Sequence, residues 1–143
     1  MLTTRPFRIE DEPAVINLWT RCGLVRPHND PRKDIHRKSK VKPDMFLVGL
    51  IEGKLVATVM VGYEGHRGWI NYLAVCPEHQ KMGFGKQMMN EAERLLRSEG
   101  CPKINLQVRT SNAEVLAFYR AIGFVQDDVV SLGKRLERDE KPA

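Results

Sequence analysis

The sequence predicts one mixed α/β domain of 143 residues, a mostly antiparallel sheet that ends in a parallel pair and is flanked by about four helices. Three observations carry this reading. Met45 to Ile51 and Lys54 to Tyr63 are apolar, β-branched runs separated only by Glu52-Gly53, the signature of an antiparallel hairpin. A third run, Trp69 to about Cys76, leads into a helical stripe and then a further strand, and a helix between two strands makes them most simply parallel. A chain of this length holds a single core that buries roughly two thirds of its unfolded surface.

The elements follow in order. Leu2 to Arg8 alternates loosely and reads as a strand. Asp11 is a natural N-cap and Pro13 falls in the first turn of a helix over about 12 to 22, with Val15, Ile16, Leu18, Trp19 and Cys22 on one face and Gly23 beyond its end. After the linker Leu24 to Asn29, Asp30-Pro31 starts a shorter, very basic helix that stops before Pro43. The hairpin comes next, then the turn Glu64 to Gly68 and the strand from Trp69. Pro77 ends that strand because it has no N–H to give to a ladder. Met88, Met89, Ala92, Leu95 and Leu96 form the stripe of a helix from about Gly85 to Glu99, closed by Gly100. Lys103 to Arg109 alternates as a strand. Ser111-Asn-Ala-Glu114 reads as a capping box for a helix that ends at Gly123. A last strand is expected near Val129 to Leu136, and from Glu137 to Ala143 a charged, frayed tail.

Neither a run of eighteen apolar residues nor a charged-then-apolar leader is present, so no membrane contact is expected and the chain reads as cytoplasmic. Cys22, Cys76 and Cys101 are odd in number and lack Cys-x-x-Cys spacing or clustered histidines, so they read as buried thiols, with no metal site. The net charge of +5 is local: from Arg26 to Lys42 there are seven basic against two acidic side chains, and the rest of the chain is neutral. Such a segment suits either an anionic partner or a solvated helix face.

The stretch Gln80-Lys-Met-Gly-Phe-Gly85 lies between the apolar strand and the helix. Its two glycines allow a close approach of the backbone, and open amides with a positive dipole at a helix start suit an anion, above all phosphate. A tight strand-to-helix turn would use the same glycines. A P-loop is set aside because Gly85-Lys86 is followed by Gln87, without a hydroxyl for a metal, and a dinucleotide fingerprint because its third glycine is missing.

With Gln80-x-x-Gly83-x-Gly85 after an apolar strand, and Asn112 followed by Phe118-Tyr119 and Gly123-Phe124, the chain resembles the GNAT superfamily of N-acetyltransferases over about Phe7 to Leu132. Gly65-His-Arg-Gly68, Gly100-Cys-Pro-Lys103 and Ser131-Leu-Gly-Lys-Arg-Leu136 further resemble the small bacterial YpeA-type members. The resemblance implies a sheet splayed between the strands at 69–75 and 103–109, with acetyl-CoA in the gap. It implies backbone amides of Lys81, Met82, Gly83, Phe84, Gly85 and Lys86 on the pyrophosphate, and Leu73, Ala74 and Val75 along the pantetheine and acetyl carbonyl. Asn112 matches the residue on the pantetheine arm and Tyr119 the one beside the sulfur, where a phenol of pKa about 10 can protonate a departing thiolate.

The resemblance further implies direct attack by a primary amine in a ternary complex, from a small-molecule or peptide acceptor. Deprotonating a lysine-type amine at pH 7 costs roughly 4.6 kcal/mol and an α-amine only about 1 kcal/mol, so the need for a base depends on the acceptor. Glu64 and His66, at the strand-to-strand turn, are the candidate bases, with Asp30 and water relays behind them; position 71, where the family sometimes has a carboxylate, is Asn and cannot serve. Cys76 raises the alternative of an acyl-cysteine, and is expected to be structural. The basic segment, on the acceptor side in this family, suggests an anionic acceptor. The rival is a CoA-sensing or nucleic-acid-binding module without turnover; nucleic acid fits poorly because the segment lacks interleaved aromatics. A homodimer is left open.

Overall fold

The computed structural model describes residues 1–140. Five strands, β1 (Thr3–Pro6), β2 (Phe46–Ile51), β3 (Lys54–Tyr63), β4 (Gly68–Val75) and β5 (Ile104–Leu106), form one sheet in that order. The pairs are antiparallel up to β4, and β4 and β5 are parallel through Gly68 opposite Ile104, Trp69 opposite Asn105 and Ile70 opposite Leu106. The helices are α1 (Glu12–Arg21), α2 (Pro31–Lys38), α3 (Phe84–Ser98) and α4 (Ala113–Ala121). This is the mixed, mostly antiparallel architecture that the hairpin and the β–α–β connection predict.

Helices cover both faces of the sheet, which is why β3 reads as an unbroken apolar run: Val56 to Val59 are all buried. On one face Trp19 of α1 donates its Nε1 hydrogen to Thr58 Oγ1 at 2.9 Å. On the other, Met88 of α3 lies over Gly49 and Ala57. The core is built from Trp19, Phe46, Met88, Leu96 and the valines at 15, 48, 56, 59 and 61. The Thr58 hydroxyl accepts from Trp19 and donates to the Tyr72 carbonyl at 2.8 Å. Thr58→Val keeps the shape and removes both bonds, so unfolding in denaturant should show a loss of about 2 kcal/mol with an unchanged m-value.

Four local expectations are corrected. Strand β5 spans three residues, not 103–109, because its chain turns away from β4 after Leu106. No strand forms near Val129 to Leu136. That segment meets β5 only through side chains, Lys103 and Asn105 on Asp127 and Gln107 on Ser131, and a strand without a backbone partner has no ladder to stabilise it. The N-cap of α4 is Asn112, whose Oδ1 accepts from Val115 N at 3.2 Å, and not Ser111. Asp11 does not cap α1 with its side chain; its carboxylate holds the Arg5 guanidinium and the Arg8 N–H.

The tail is also anchored further than expected. Asp139 has a fully covered side chain and accepts from Arg37 Nη2 at 2.7 Å and from the Asp30 N–H at 2.9 Å. Arg37 holds the Asp139 carboxyl well below the usual carboxylate range. The last part of the expected frayed tail, 141–143, lies outside the described residues.

Candidate active site

Pairing between β4 and β5 stops at Ile70 and Leu106, so the β5-facing edge of β4 from Asn71 to Val75 is open. The opening has a built cause. At Tyr72 the backbone enters the left-handed region, φ 52°, and the pairing of β4 with β3 shifts register between Thr58 and Met60. A side chain in that region costs about 1–2 kcal/mol, and the surroundings hold it there. The Tyr72 ring stacks on Trp19 with centroids 3.8 Å apart, its hydroxyl donates to Asp34 Oδ2 at 2.6 Å, and its carbonyl accepts from Thr58. Burial and the hydrogen bond to Asp34 push its phenol pKa up. A bulge of this kind bends a strand and re-aims the residues beyond it, here Leu73, Ala74 and Val75.

After β4, the Cys76 N–H returns to Val56 O at 2.8 Å, and Pro77–His79 makes one 3-10 turn. Gln80 Nε2 donates to Val75 O at 2.9 Å, tying the glycine turn to the strand end. Lys81 and Gly83 follow with φ of 63° and 85°. Gly83 is the N-cap of α3 and offers no side chain, and the first helical bond runs from Gln87 N to Gly83 O at 3.1 Å. The N–H groups of Phe84, Gly85 and Lys86 are therefore without intrahelical acceptors. The first turn has no acidic side chain, and Lys81, Lys86 and Met82 are exposed beside it. The space beside Gly83 is empty to 4 Å, whereas a Cβ on Gly85 would stand 3.2 Å from the Phe118 ring.

That contact brings α4 to the turn. Asn112 spends its side-chain oxygen as the helix cap. Tyr119 is buried between Phe118 and Phe124, with edge-to-face ring centroids at 5.1 and 5.4 Å. Its hydroxyl has no hydrogen-bond partner among the described residues, and burial pushes its pKa up to about 12. The cleft left by the open edge of β4 is thus bordered by the uncapped start of α3, with the Phe118 ring of α4 against that start.

Glu64 and His66 occupy the turn before β4, whose first residue, Gly68, is seven residues from Val75, or about 23 Å along an extended chain. The Glu64 carboxylate caps its own turn, accepting the N–H groups of Arg67 and His66, and these bonds hold its pKa down. That carboxylate is engaged by its own turn, at the end of β4 away from the start of α3. Nearer the cleft, Glu78 is held by the Cys76 thiol at 2.7 Å and by Arg21, which keep its carboxyl well below the usual range. Cys22 donates to Val75 O at 3.3 Å, and burial raises its pKa.

The basic segment is partly spent on the fold. Lys38 is buried with Nζ 2.5 Å from Val61 O, Arg37 binds Asp34 and Asp139, and Lys42 binds Glu99. Arg26, Arg32 and Lys40 are exposed, and the linker carrying Arg26 and His28 runs from Cys22, beside Val75, to Asn29, which receives Arg135 at 2.9 Å. The Tyr72–Asp34–Arg37–Asp139 chain of contacts joins residues far apart in sequence and had no local signal.

A model of the Acetyltransferase (GNAT) family matches residues 12–124. The chain belongs to the GNAT acetyltransferase family. Solved structures agree with this. Ard1 from Thermoplasma volcanium is 27% identical with a TM-score of 0.75, over 87% of this chain and 82% of that one. PaiA N-acetyltransferase from Thermoplasma acidophilum, in complex with coenzyme A, is 21% identical with a TM-score of 0.76, over 91% and 93%. The ribosomal-protein-S18-alanine N-acetyltransferase from Escherichia coli is 21% identical with a TM-score of 0.74, over 89% and 79%. As a GNAT member the chain is an acetyl-CoA-dependent N-acetyltransferase. No helix among the described residues is long and apolar enough to cross a membrane.

Proposed function

We propose that this GNAT enzyme transfers the acetyl group to a primary amine by direct attack in a ternary complex, and that its acceptor is a weakly basic, α-amine type of amine carrying an anionic group. The observation that carries the reading is the uncapped start of α3 directly after the open edge of β4, with α4, which carries Tyr119, packed against it through Phe118. Acetyl-CoA supplies the thioester. The amides of Lys81 to Lys86 cradle its pyrophosphate, since they are donors without acceptors at the positive end of a helix. The edge at Leu73, Ala74 and Val75, re-aimed by the bulge, aligns the pantetheine and the acetyl carbonyl, and Asn112 offers its amide hydrogens to the same arm. Tyr119, protonated at any physiological pH, donates a proton or hydrogen bond to the departing thiolate.

The carboxylates close to this cleft are engaged: Glu78 by Arg21 and Cys76, Asp34 by Tyr72 and Arg37. An amine that reaches the cleft already neutral fits such a site, and an α-amine sheds its proton for about 1 kcal/mol at pH 7 against roughly 4.6 for a lysine. Thiol release from acetyl-CoA should be measured across amino acids, peptide N-termini, polyamines and aminoglycosides, with initial rates over both substrates. Intersecting lines, and turnover retained by Cys76→Ala, are expected. Parallel lines with acetyl trapped on Cys76 would refute direct attack.

The anionic group follows from Arg26 and Arg32, two of the exposed side chains of the basic segment. Attraction across an open cleft is screened over about 8 Å at physiological salt, so kcat/KM for such an acceptor should fall as salt rises. Arg26→Gln with Arg32→Gln should raise the acceptor KM several-fold and leave that for acetyl-CoA nearly constant. The reverse pattern would assign the charge to the cofactor's phosphates. Lys38 and Arg37 do not belong in this test, because they hold the fold.

A further inference from the structure

The strained residue at which β4 opens is tied to the far end of the chain. Tyr72, at φ 52°, keeps that backbone only while its surroundings over-determine it. Thr58 holds its carbonyl at 2.8 Å, and Trp19 holds its ring with centroids 3.8 Å apart. Among the described residues the hydroxyl has a single polar contact, Asp34 Oδ2 at 2.6 Å, so it is Asp34 that fixes the direction of the ring from α2.

Asp34 is in turn held from outside its own helix. Its Oδ1 accepts from Arg37 Nη1 at 2.9 Å, a pair three residues apart in which the Arg37 side chain is 41% exposed. Such a pair contributes little by itself, because a long exposed side chain has other places to be. Asp139 removes that freedom. Its carboxylate accepts from both guanidinium nitrogens, Nη2 at 2.7 Å and Nη1 at 3.2 Å, and from the Asp30 N–H at 2.9 Å. Two parallel bonds fix the plane of a guanidinium as well as its distance, and Nη1 is left between the two carboxylates. The Asp139 side chain is fully covered, which is costly for a charge unless it is paired, so this end of the chain is a built contact. Arg135, 3.7 Å from Asp139 and bonded to Asn29 at 2.9 Å, ties the same point to the linker. Asp34, Arg37 and Asp139 are all outside the set of groups assigned to acetyl-CoA.

We propose that Asp34 and Asp139 are positioning residues for acetyl transfer: through Arg37 they hold the Tyr72 bulge from behind, and with it the aim of Leu73, Ala74 and Val75 at the cofactor. The role rests on the reading that this edge lies along the pantetheine. It makes the last residues of the chain, which touch no substrate, part of what shapes the cofactor cleft.

The test compares wild type with Asp139→Ala, Tyr72→Phe and the double variant by calorimetric titration with acetyl-CoA and with ADP, which carries a pyrophosphate and no pantetheine. Asp139→Ala should raise the Kd for acetyl-CoA about tenfold and change that for ADP by less than about twofold. Tyr72→Phe should act in the same direction, and the double variant should be no worse than the weaker single, because both changes cut one relay. A general loosening of the fold would weaken both ligands alike and would add. Trp19 emission, read in a Trp69→Phe background because the chain has 2 tryptophans, should move to longer wavelength in Asp139→Ala with no ligand present. Where Asp139→Ala fails to fold, Asp139→Asn, which keeps the shape and removes the charge, should show the same pattern at smaller size. Unmoved Trp19 emission, equal losses for acetyl-CoA and ADP, or additive losses in the double variant would each overturn the proposal. A wild type that binds acetyl-CoA no more tightly than ADP would instead sink the pantetheine reading, and Trp19 still reports on the relay.

Discussion

Tyr119→Phe should lower kcat about 10²-fold or more while the affinity for acetyl-CoA stays nearly constant. The substitution removes one oxygen and nothing else, because that hydroxyl has no hydrogen-bond partner among the described residues and the ring keeps its edge-to-face contacts with Phe118 and Phe124. Folding should therefore be nearly unaffected, and a fall in kcat without a change in the acetyl-CoA thermal shift separates a proton donor from a packing residue. Equal rates would leave Tyr119 as core. The pH profile adds a second readout. With the phenol raised to about 12, Tyr119 is protonated and active at every lower pH, and its contribution is lost only as pH rises through that value. The wild-type rate should accordingly show no alkaline decline from this group below about pH 11, leaving the acid limb to the acceptor amine.

Gly83→Val and Gly85→Val should each abolish the thermal shift given by acetyl-CoA and leave a folded protein. The two act by different physics. At Gly83 the backbone has φ 85°, so a β-branched residue forces the turn out of the left-handed region and turns the following amides away, even though the space beside it is empty. At Gly85 the conformation is helical and the obstacle is steric: a Cβ would meet the Phe118 ring at 3.2 Å, and the further methyls of valine displace α4, which carries Tyr119. Gly85→Val should thus cost kcat as well as binding, whereas Gly83→Val should act on binding. Unchanged shifts in both variants would place the cofactor elsewhere.

The hairpin, the β–α–β connection and the glycine turn were legible in the sequence, because each rests on neighbours within a few positions: Glu52-Gly53 between two apolar runs, the stripe from Met88 to Leu96, and glycines just ahead of a helix. The paired motifs at Gln80 to Gly85 and Asn112 to Phe124 were enough to find the family. Where those elements stop and which side chains meet is set by contacts between residues distant in sequence. Lys103 to Arg109 alternates along its whole length, yet pairs over three residues, since register and splay are set by the partner strand. Val129 to Leu136 has strand composition and no strand, since β-structure needs a second backbone. Tyr72 reads as one more residue in an apolar run, and its left-handed backbone is imposed by Trp19, Thr58 and Asp34 from three other elements. Glu64 and His66 have the right chemistry for a base, and the pleat of β4 puts them at its far end. Basic charge between Arg26 and Lys42 was countable, but its availability was not, because the groups that consume it, Val61 O, Glu99 and Asp139, come to it only when the chain folds.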